Sequence, residues 1–571
     1  MDESAQDLGR VMTVNGSGAN ARLFKTVAAM VADEGGLTIG RLVGIRVDHS
    51  LVVAVVVSMT VSMPDPGDQD GGHLVAAVDF MGEIKRYGTA AATFQRGVST
   101  YPTIGNMVRR LRTADIAVIH RIDSGDTIEV GRLRLDASVP ALINFDELLR
   151  KHFAVLGTTG VGKSTAVALI LQEILKKKTN LRIFLVDPHN EYAHCFGELA
   201  HVIDPKTLQL PYWLFNFEEI VDVFFRGRPG VEEETEILAE LIPAAKARYA
   251  ANARGDRIQV RKTSGSGFTA DTPVPYRISE LVNLINDAMG KLENRSAWTK
   301  YHRLISRIET LGNDSRYAFM FNNLFVEDMM VQVLEDLFRL PINGQPITVL
   351  QLAGLPAEVV DSVVSVVTRM GFEFGVWSEG SAPLLVCCEE VHRYAPADRK
   401  LGFGPTRKAL SRIAKEGRKY SVFLGAITQR PSDLDATILS QCSTVFAMRM
   451  ANDRDQEIVR SAVPDAAASL IAFLPSLGTR EAIAFGEGVS LPTRFTFKDV
   501  AENRLPRSQS GRIGRLEEGG SLDEDFIRAV VDRWRESSTT NTAPRIGLSA
   551  LEQGGLGDEG LGAPLIPRRM G

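Results

Sequence analysis

Eight residues constrain this chain more tightly than any other feature. Gly157-Thr158-Thr159-Gly160-Val161-Gly162-Lys163-Ser164 matches G-x-x-x-x-G-K-[ST], the loop that cradles phosphates. Its flanks are those the motif needs. The apolar run Phe153 to Leu156 reads as a buried strand, and the stretch from Ser164 and Thr165 to Lys178 reads as a helix. Glycines let the backbone approach an anion, and the amides and helix N-terminus bind it. Lys163 reaches the β and γ phosphates, and the Ser164 hydroxyl is placed for magnesium. The predicted ligands are ATP and Mg2+, held by residues 157 to 165.

A chain of 571 residues with 44% hydrophobic content suffices for roughly three or four globular domains. Its four cysteines, Cys195, Cys387, Cys388 and Cys442, lack paired metal-ligand spacing and are too few for a disulfide framework, which suits a reducing cytoplasm. The N-terminus shows no basic-then-apolar leader, and the longest strongly apolar stretch, Leu51 to Met59, is too short to span a bilayer. A cytoplasmic protein without membrane contact is expected. At a net charge of −5 the whole molecule does not attract DNA, so any polyanion contact needs a local basic surface.

Between Leu37 and Leu135 the β-rich runs Ile39 to Val47, Leu51 to Val61, Val75 to Ile84 and Ile116 to His120 alternate with turn residues, predicting a small β-barrel over residues 1–145. Pro64 to Gly72 reads as an acidic, solvated turn. Beyond Phe145, apolar strands alternate with helical stretches, the signature of an α/β parallel sheet. That domain is expected at 146–211 and 344–500, with strands at Ile347 to Leu352, Pro383 to Cys388, Ser421 to Ile427 and Ser443 to Met448. A helical insertion at 212–343 interrupts it, and Lys246, Arg248, Arg254, Arg257, Arg261 and Lys262 within the insertion form a candidate polyanion-facing patch or a solvated basic face. Residues 501–571 read as one short amphipathic helix, Asp523 to Glu536, and a Gly-rich end without a core.

Two further strands end in chemistry. Leu181 to Val186 closes on Asp187, at the edge where open α/β sheets hold ligands. Leu384 to Cys388 closes on Glu389 and Glu390, adjacent carboxylates that face opposite ways from a strand and so divide between magnesium and the attacking water. Glu389 is assigned to the metal and Glu390 to the water, the reverse remaining open. The strand after them delivers Gln429 to the same edge, where it senses the γ-phosphate or positions water. Between them a helix, Thr406 to Gly417, turns Leu410, Ile413 and Ala414 inward and Arg412 and Lys415 outward, and Gly417 stops it before Arg418. Arg418 is a candidate finger for a neighbouring subunit's transition state, or a solvated cation.

These segments, with Asp187-Pro-His-Asn-Glu-Tyr192, Glu389-Glu-Val-His-Arg-Tyr394, Arg412-Ile-Ala-Lys-Glu-Gly-Arg-Lys-Tyr420 and Ile427-Thr-Gln-Arg-Pro-Ser432, resemble the HerA family of hexameric DNA-translocating ATPases related to FtsK. The resemblance runs to about Lys498. It implies a RecA-like P-loop motor with a helical insertion, an N-terminal HAS-type barrel that docks a partner, and a C-terminal segment that braces the adjacent subunit. It favours Arg418 as the trans-acting finger and adds Asp187 and Lys151 as helpers of the active site. Asn190, Val391 and Arg393 depart from the residues common in the family. The implied partners are double-stranded DNA, five further copies of the chain in a homo-hexamer, and a separate nuclease or sirtuin-type effector in DNA processing or antiphage defence. The implied function is ATP-driven translocation of DNA, with Arg399, Lys400, Arg407 and Lys408 as pore candidates. The alternative is a nucleotide-gated platform that organises an effector, translocation being secondary.

Overall fold

The computed structural model describes residues 7–24, 37–62, 73–122, 125–226, 228–252, 267–292, 298–321, 327–462, 468–507, 527–528 and 531–532. Pro64 to Gly72, Arg254, Arg257, Arg261, Lys262 and nearly all of the 501–571 tail beyond residue 507 lie outside them. The described chain divides into two compact units, one of residues 1–208 and 330–520, the other of residues 209–329 with the C-terminal residues.

The first unit opens with β1 (Asp7–Val14), β2 (Gly18–Leu23), β3 (Leu42–Val47), β4 (Ser50–Ser62), β5 (His73–Lys85), β6 (Thr93–Arg96) and β7 (Met107–Arg110). Pairing in the order β2-β1-β7-β3-β4-β5, closed by β5 against β2, makes a six-stranded antiparallel barrel with β6 appended to β5. Alternating residues such as Val43 and Ile45, or Ala76 and Val78, fill its interior. The expected strand at Ile116 to His120 is instead part of the helix Thr113–His120. Asp115 accepts the Arg112 N–H and caps that helix, while Ile116 and Ile119, one turn apart, are its buried pair.

The second sheet has eleven strands: β8 (Thr127–Leu133), β9 (Pro140–Asn144), β10 (His152–Leu156), β11 (Arg182–Asp187), β12 (Ala200–Ile203), β13 (Ile347–Gln351), β14 (Leu384–Cys388), β15 (Val422–Thr428), β16 (Cys442–Met448), β17 (Glu481–Gly486) and β18 (Thr493–Phe497). Seven run parallel in the order β12-β13-β11-β14-β15-β10-β16, and β17, β18, β8 and β9 continue the sheet antiparallel. The barrel therefore ends before Thr127, not at 145. Residues 127–144 alternate like barrel strands, and only their pairing with β18 assigns them to the ATPase sheet. Central strands β10 and β14 are buried at every position, which is why they read as continuous apolar runs.

The second unit is helical, with Phe217–Phe225, Glu232–Asn252, Ile278–Gly290 and Trp298–Gly312. It runs over 209–329, so the helix Met330–Phe338 belongs with the sheet and not, as 212–343 would have it, with the insertion. The expected basic patch is not formed by its described members. Lys246 is wholly buried and donates to the carbonyls of Ala270 and Thr272, both at 2.6 Å, and burial pulls its ammonium down to about 8. Arg248 is paired with Glu280 at 2.7 Å. Among the described residues no helix is long and apolar enough to cross a membrane, and the four cysteines are buried and unpaired.

His152, at the base of β10, ties the sheet to the helix Gly404–Glu416. Its Nδ1 accepts the Leu424 N–H at 2.9 Å, which leaves the proton on Nε2 to donate to the Ala414 carbonyl at 3.0 Å. Burial holds the ring neutral by pulling it from 6.5 down to about 4, and does the same to His120. Both groups bind protons more readily when unfolded, so stability is present above pH 6.5 and is lost as pH falls toward 4. Each histidine should cost about 2 kcal/mol between pH 7 and pH 5. The thermal midpoint should drop over that interval, and His152→Gln should flatten the slope.

Candidate ATP-hydrolysis site

Parallel strands deliver their C-terminal ends to one edge, and there the phosphate loop, the Asp187 turn, the paired glutamates and Gln429 converge. The loop turns through Gly160 at φ +78° and Gly162 at φ +94°, conformations that glycine adopts without strain. Gly157 presses on Met448, where a Cβ would stand 2.8 Å from the Met448 Cβ. The Thr158 N–H and hydroxyl both donate to the Arg449 carbonyl at 3.1 Å, and the Thr159 hydroxyl donates to Gln429 Oε1. Lys163 opens the helix Lys163–Lys177, whose buried Ala166, Val167 and Ile170 pin the loop to the core. A cavity of 790 Å³ lies over Ser164 and Thr165, bounded also by Glu191, Glu389, Glu390, Gln429, Arg480 and Pro506.

The two glutamates follow β14 instead of belonging to it, and both line the cavity, in different surroundings. Glu389 is 3% exposed and accepts a hydrogen bond from the buried Tyr192 hydroxyl. Burial pushes Glu389 up to about 7, against the opposing pull of Lys163 and Tyr192. Glu390 sits at φ +52°, so its side chain swings back over the loop, and its Oε1 lies 3.4 Å from Lys163 Nζ. Its buried Oε2 has no hydrogen-bond partner among the described residues. His392 Nδ1 is only 3.2 Å away, and that nitrogen is hydrogen-bonded at 2.9 Å with the Thr428 hydroxyl, which accepts the Arg430 N–H. A carboxylate oxygen held aside in this way fits an incoming water. Ser164 and Glu389, which both line the cavity, fit a hard divalent cation, which takes oxygen ligands.

Three expected site residues sit elsewhere. Asp187 is fully buried and its oxygens accept the N–H groups of Glu191 and Tyr192 at 3.1 and 2.9 Å. It shapes the turn that carries Tyr192 and does not line the cavity. Lys151 precedes β10 and pairs with Glu487 at 2.6 Å, separated from the loop by the five-residue strand, roughly 16 Å. Arg418 is exposed in the turn Gly417–Tyr420 that precedes β15, also at the strand end opposite the loop. Gly417 is not a helix stop by conformation. It is helical at φ −54°, and glycine is needed because a Cβ would fall 2.4 Å from the Val422 carbonyl oxygen. Arg412, though on the outward face, lies over the Phe372 ring at 4.4 Å.

Tyr192, His392 and Arg480 carry no role in the sequence reading. Tyr192 stands five residues after Asp187, which is a turn's reach and the one signal available. Arg480 has no signal at all, since only the fold brings it to the loop.

Residues 128–371 match the family model described as the central domain of helicase HerA. The chain is 26% identical over 459 residues to the DNA double-strand break repair helicase HerA of Pyrococcus furiosus, covering 73% of this chain and 76% of that protein. It is 24% identical to the HerA of Sulfolobus acidocaldarius, covering 76% and 80% respectively. Among solved structures, VirB4 of Thermoanaerobacter pseudethanolicus is 14% identical with a TM-score of 0.46 over 67% of this chain and 99% of that one.

Tyr192→Phe removes the hydroxyl that donates to Glu389 at the cavity wall. It should lower kcat for ATP roughly tenfold, leave KM for ATP within about threefold, and recover partly at high magnesium. Steady-state rates across a magnesium titration check this.

Proposed function

We infer, for a chain that is a HerA-type P-loop ATPase, that ATP hydrolysis drives double-stranded DNA through a ring of its copies. The observation that carries this reading is the split of charged groups between the two ends of the parallel sheet. Loop, glutamates and Gln429 lie at one end, and Arg418 with Lys151 at the other. A cation beyond the far end of a strand is out of reach of its own subunit's phosphates and serves only a neighbour's. Six copies arranged head to tail bring each Arg418 to the next pocket.

Within one pocket the chemistry is positional. A water beside Glu390 Oε2 passes a proton to that carboxylate as its oxygen bonds to the γ-phosphorus. The bond from phosphorus to the bridging oxygen breaks, and ADP leaves with that electron pair. Lys163 and the loop amides hold the phosphates, and Gln429, through its bond to Thr159, responds to loop movement. Ser164 and Glu389 would hold magnesium, which would neutralise phosphate charge. The neighbour's Arg418 adds positive charge as it develops on the transferred group, and Lys151, released from Glu487, supports the same interface.

DNA passes the exposed turn that carries Arg399 and Lys400, whose phosphate contacts are independent of sequence and weaken with salt. Arg407 and Lys408, on the helix that follows, extend the same basic surface. The described residues of the barrel contribute no side chain to the ATP cavity, and the barrel is the docking face for a separate nuclease or sirtuin-type effector.

Hydrolysis by the full chain, with its mass in solution, should rise with linear double-stranded DNA and vanish in Glu390→Gln. Arg418→Ala should lower it roughly 1000-fold. Mixing Arg418→Ala with Lys163→Ala should restore part of the rate, because some interfaces then pair an intact pocket with an intact finger. No recovery on mixing would sink the trans assignment. A ring indifferent to DNA and stimulated only by an added effector would favour the platform instead.

A further inference from the structure

Arg480 stands at the lip of the ATP cavity, at φ +63°, a conformation natural to glycine and costly to an arginine. Its N–H donates to the Val161 carbonyl at 2.8 Å, so the phosphate loop itself holds its backbone. Its stem lies on Gly162, where a Cβ would meet Arg480 Cγ at 3.1 Å. The guanidinium pairs with Asp499, whose side chain is 88% exposed. From Asp499 the chain continues through Pro506, on the cavity wall, to Arg507, whose N–H donates to the Glu191 carbonyl at 3.0 Å. The stretch 499–507 is thus held at both ends beside the nucleotide cavity, by Arg480 at one end and Glu191 at the other.

The loop glycines and their amides cradle the α and β phosphates, so a cation seated on Gly162 belongs to that part of the nucleotide. An ion pair with one partner in open water contributes at most a few-fold to an equilibrium, whereas a charge-assisted bond to phosphate contributes about tenfold or more. We propose that Arg480 is a nucleotide-contacting residue that exchanges the Asp499 carboxylate for the α and β phosphates of ATP or ADP, and thereby frees the Asp499 end of the 499–507 stretch whenever the pocket is filled. This rests on reading the cavity as the ATP site. It differs from the neighbour's finger, because contact with the α and β phosphates does not distinguish ATP from ADP.

Binding of a fluorescent ATP analogue to the full chain, competed with ATP and with ADP, tests it. Arg480→Gly removes the guanidinium while relieving the backbone, so it should melt no lower than wild type. It should weaken ATP and ADP alike by about tenfold, which is 1.4 kcal/mol. Asp499→Asn removes the competitor and should tighten both ligands by a few-fold. Hydrogen exchange at 500–505 should quicken on adding ADP to wild type and be faster in Asp499→Asn with or without it. Binding by Arg480→Gly within twofold of wild type, weaker binding by Asp499→Asn, or exchange insensitive to ADP would each overturn the proposal while leaving the ATP site intact. Wild type that binds neither nucleotide would overturn the site and the proposal together.

Discussion

Strand direction is the constraint on which the rest of this structure depends. Seven parallel strands present seven C-terminal ends on one side, and short turns there bring residues 157–164, 187–192, 389–390 and 429 within reach of one another. Antiparallel strands would scatter the same residues between two edges. The alignment has a second consequence, because whatever precedes a strand is carried to the far side. Lys151 and Arg418 flank β10 and β15 there, and His152 anchors the helix that leads into Arg418 through the Ala414 carbonyl. A neutral, doubly hydrogen-bonded histidine fixes that helix end more firmly than a solvated side chain would.

Much of the ATPase sheet is legible because its strands are apolar throughout and end in polar punctuation, as β10, β11, β14 and β15 do. The barrel reads less well. Thr127 to Asn144 carries the same alternation as the barrel strands, and its membership is decided by hydrogen bonds to β18, some 360 residues later in the chain. Short local cues mislead at Ile116 to His120, where β-branched residues favour a strand but Asp115 and a two-residue apolar stripe stabilise a helix. Charge counts mislead at Lys246, because a lysine in a basic run looks solvated until two carbonyls are found on its ammonium.

The site shows the same division. The motif residues are legible because phosphate chemistry dictates their types and spacing. Asp187 is legible as important but not in its role, since a carboxylate at a strand end serves equally to bind a ligand or to cap a turn. Its buried oxygens accept two backbone N–H groups, and the turn it stabilises presents Tyr192 to Glu389. Arg480 is illegible because its contact with the loop depends on β17 joining the sheet edge, a tertiary fact without local sequence cause.

The pocket also carries an electrostatic imbalance that selects its ligand. Glu389 and Glu390 are adjacent and almost wholly buried, and Lys163 is the cation shared between them. Two carboxylates around one ammonium leave net negative charge in a poorly solvated space, and burial pushes Glu389 toward its neutral form in response. A bare polyphosphate entering such a site meets repulsion from both acids. On the function proposed above, a polyphosphate arriving with a divalent cation would bring positive charge to the position bounded by Ser164 and Glu389, where it would favour the ionised form of Glu389.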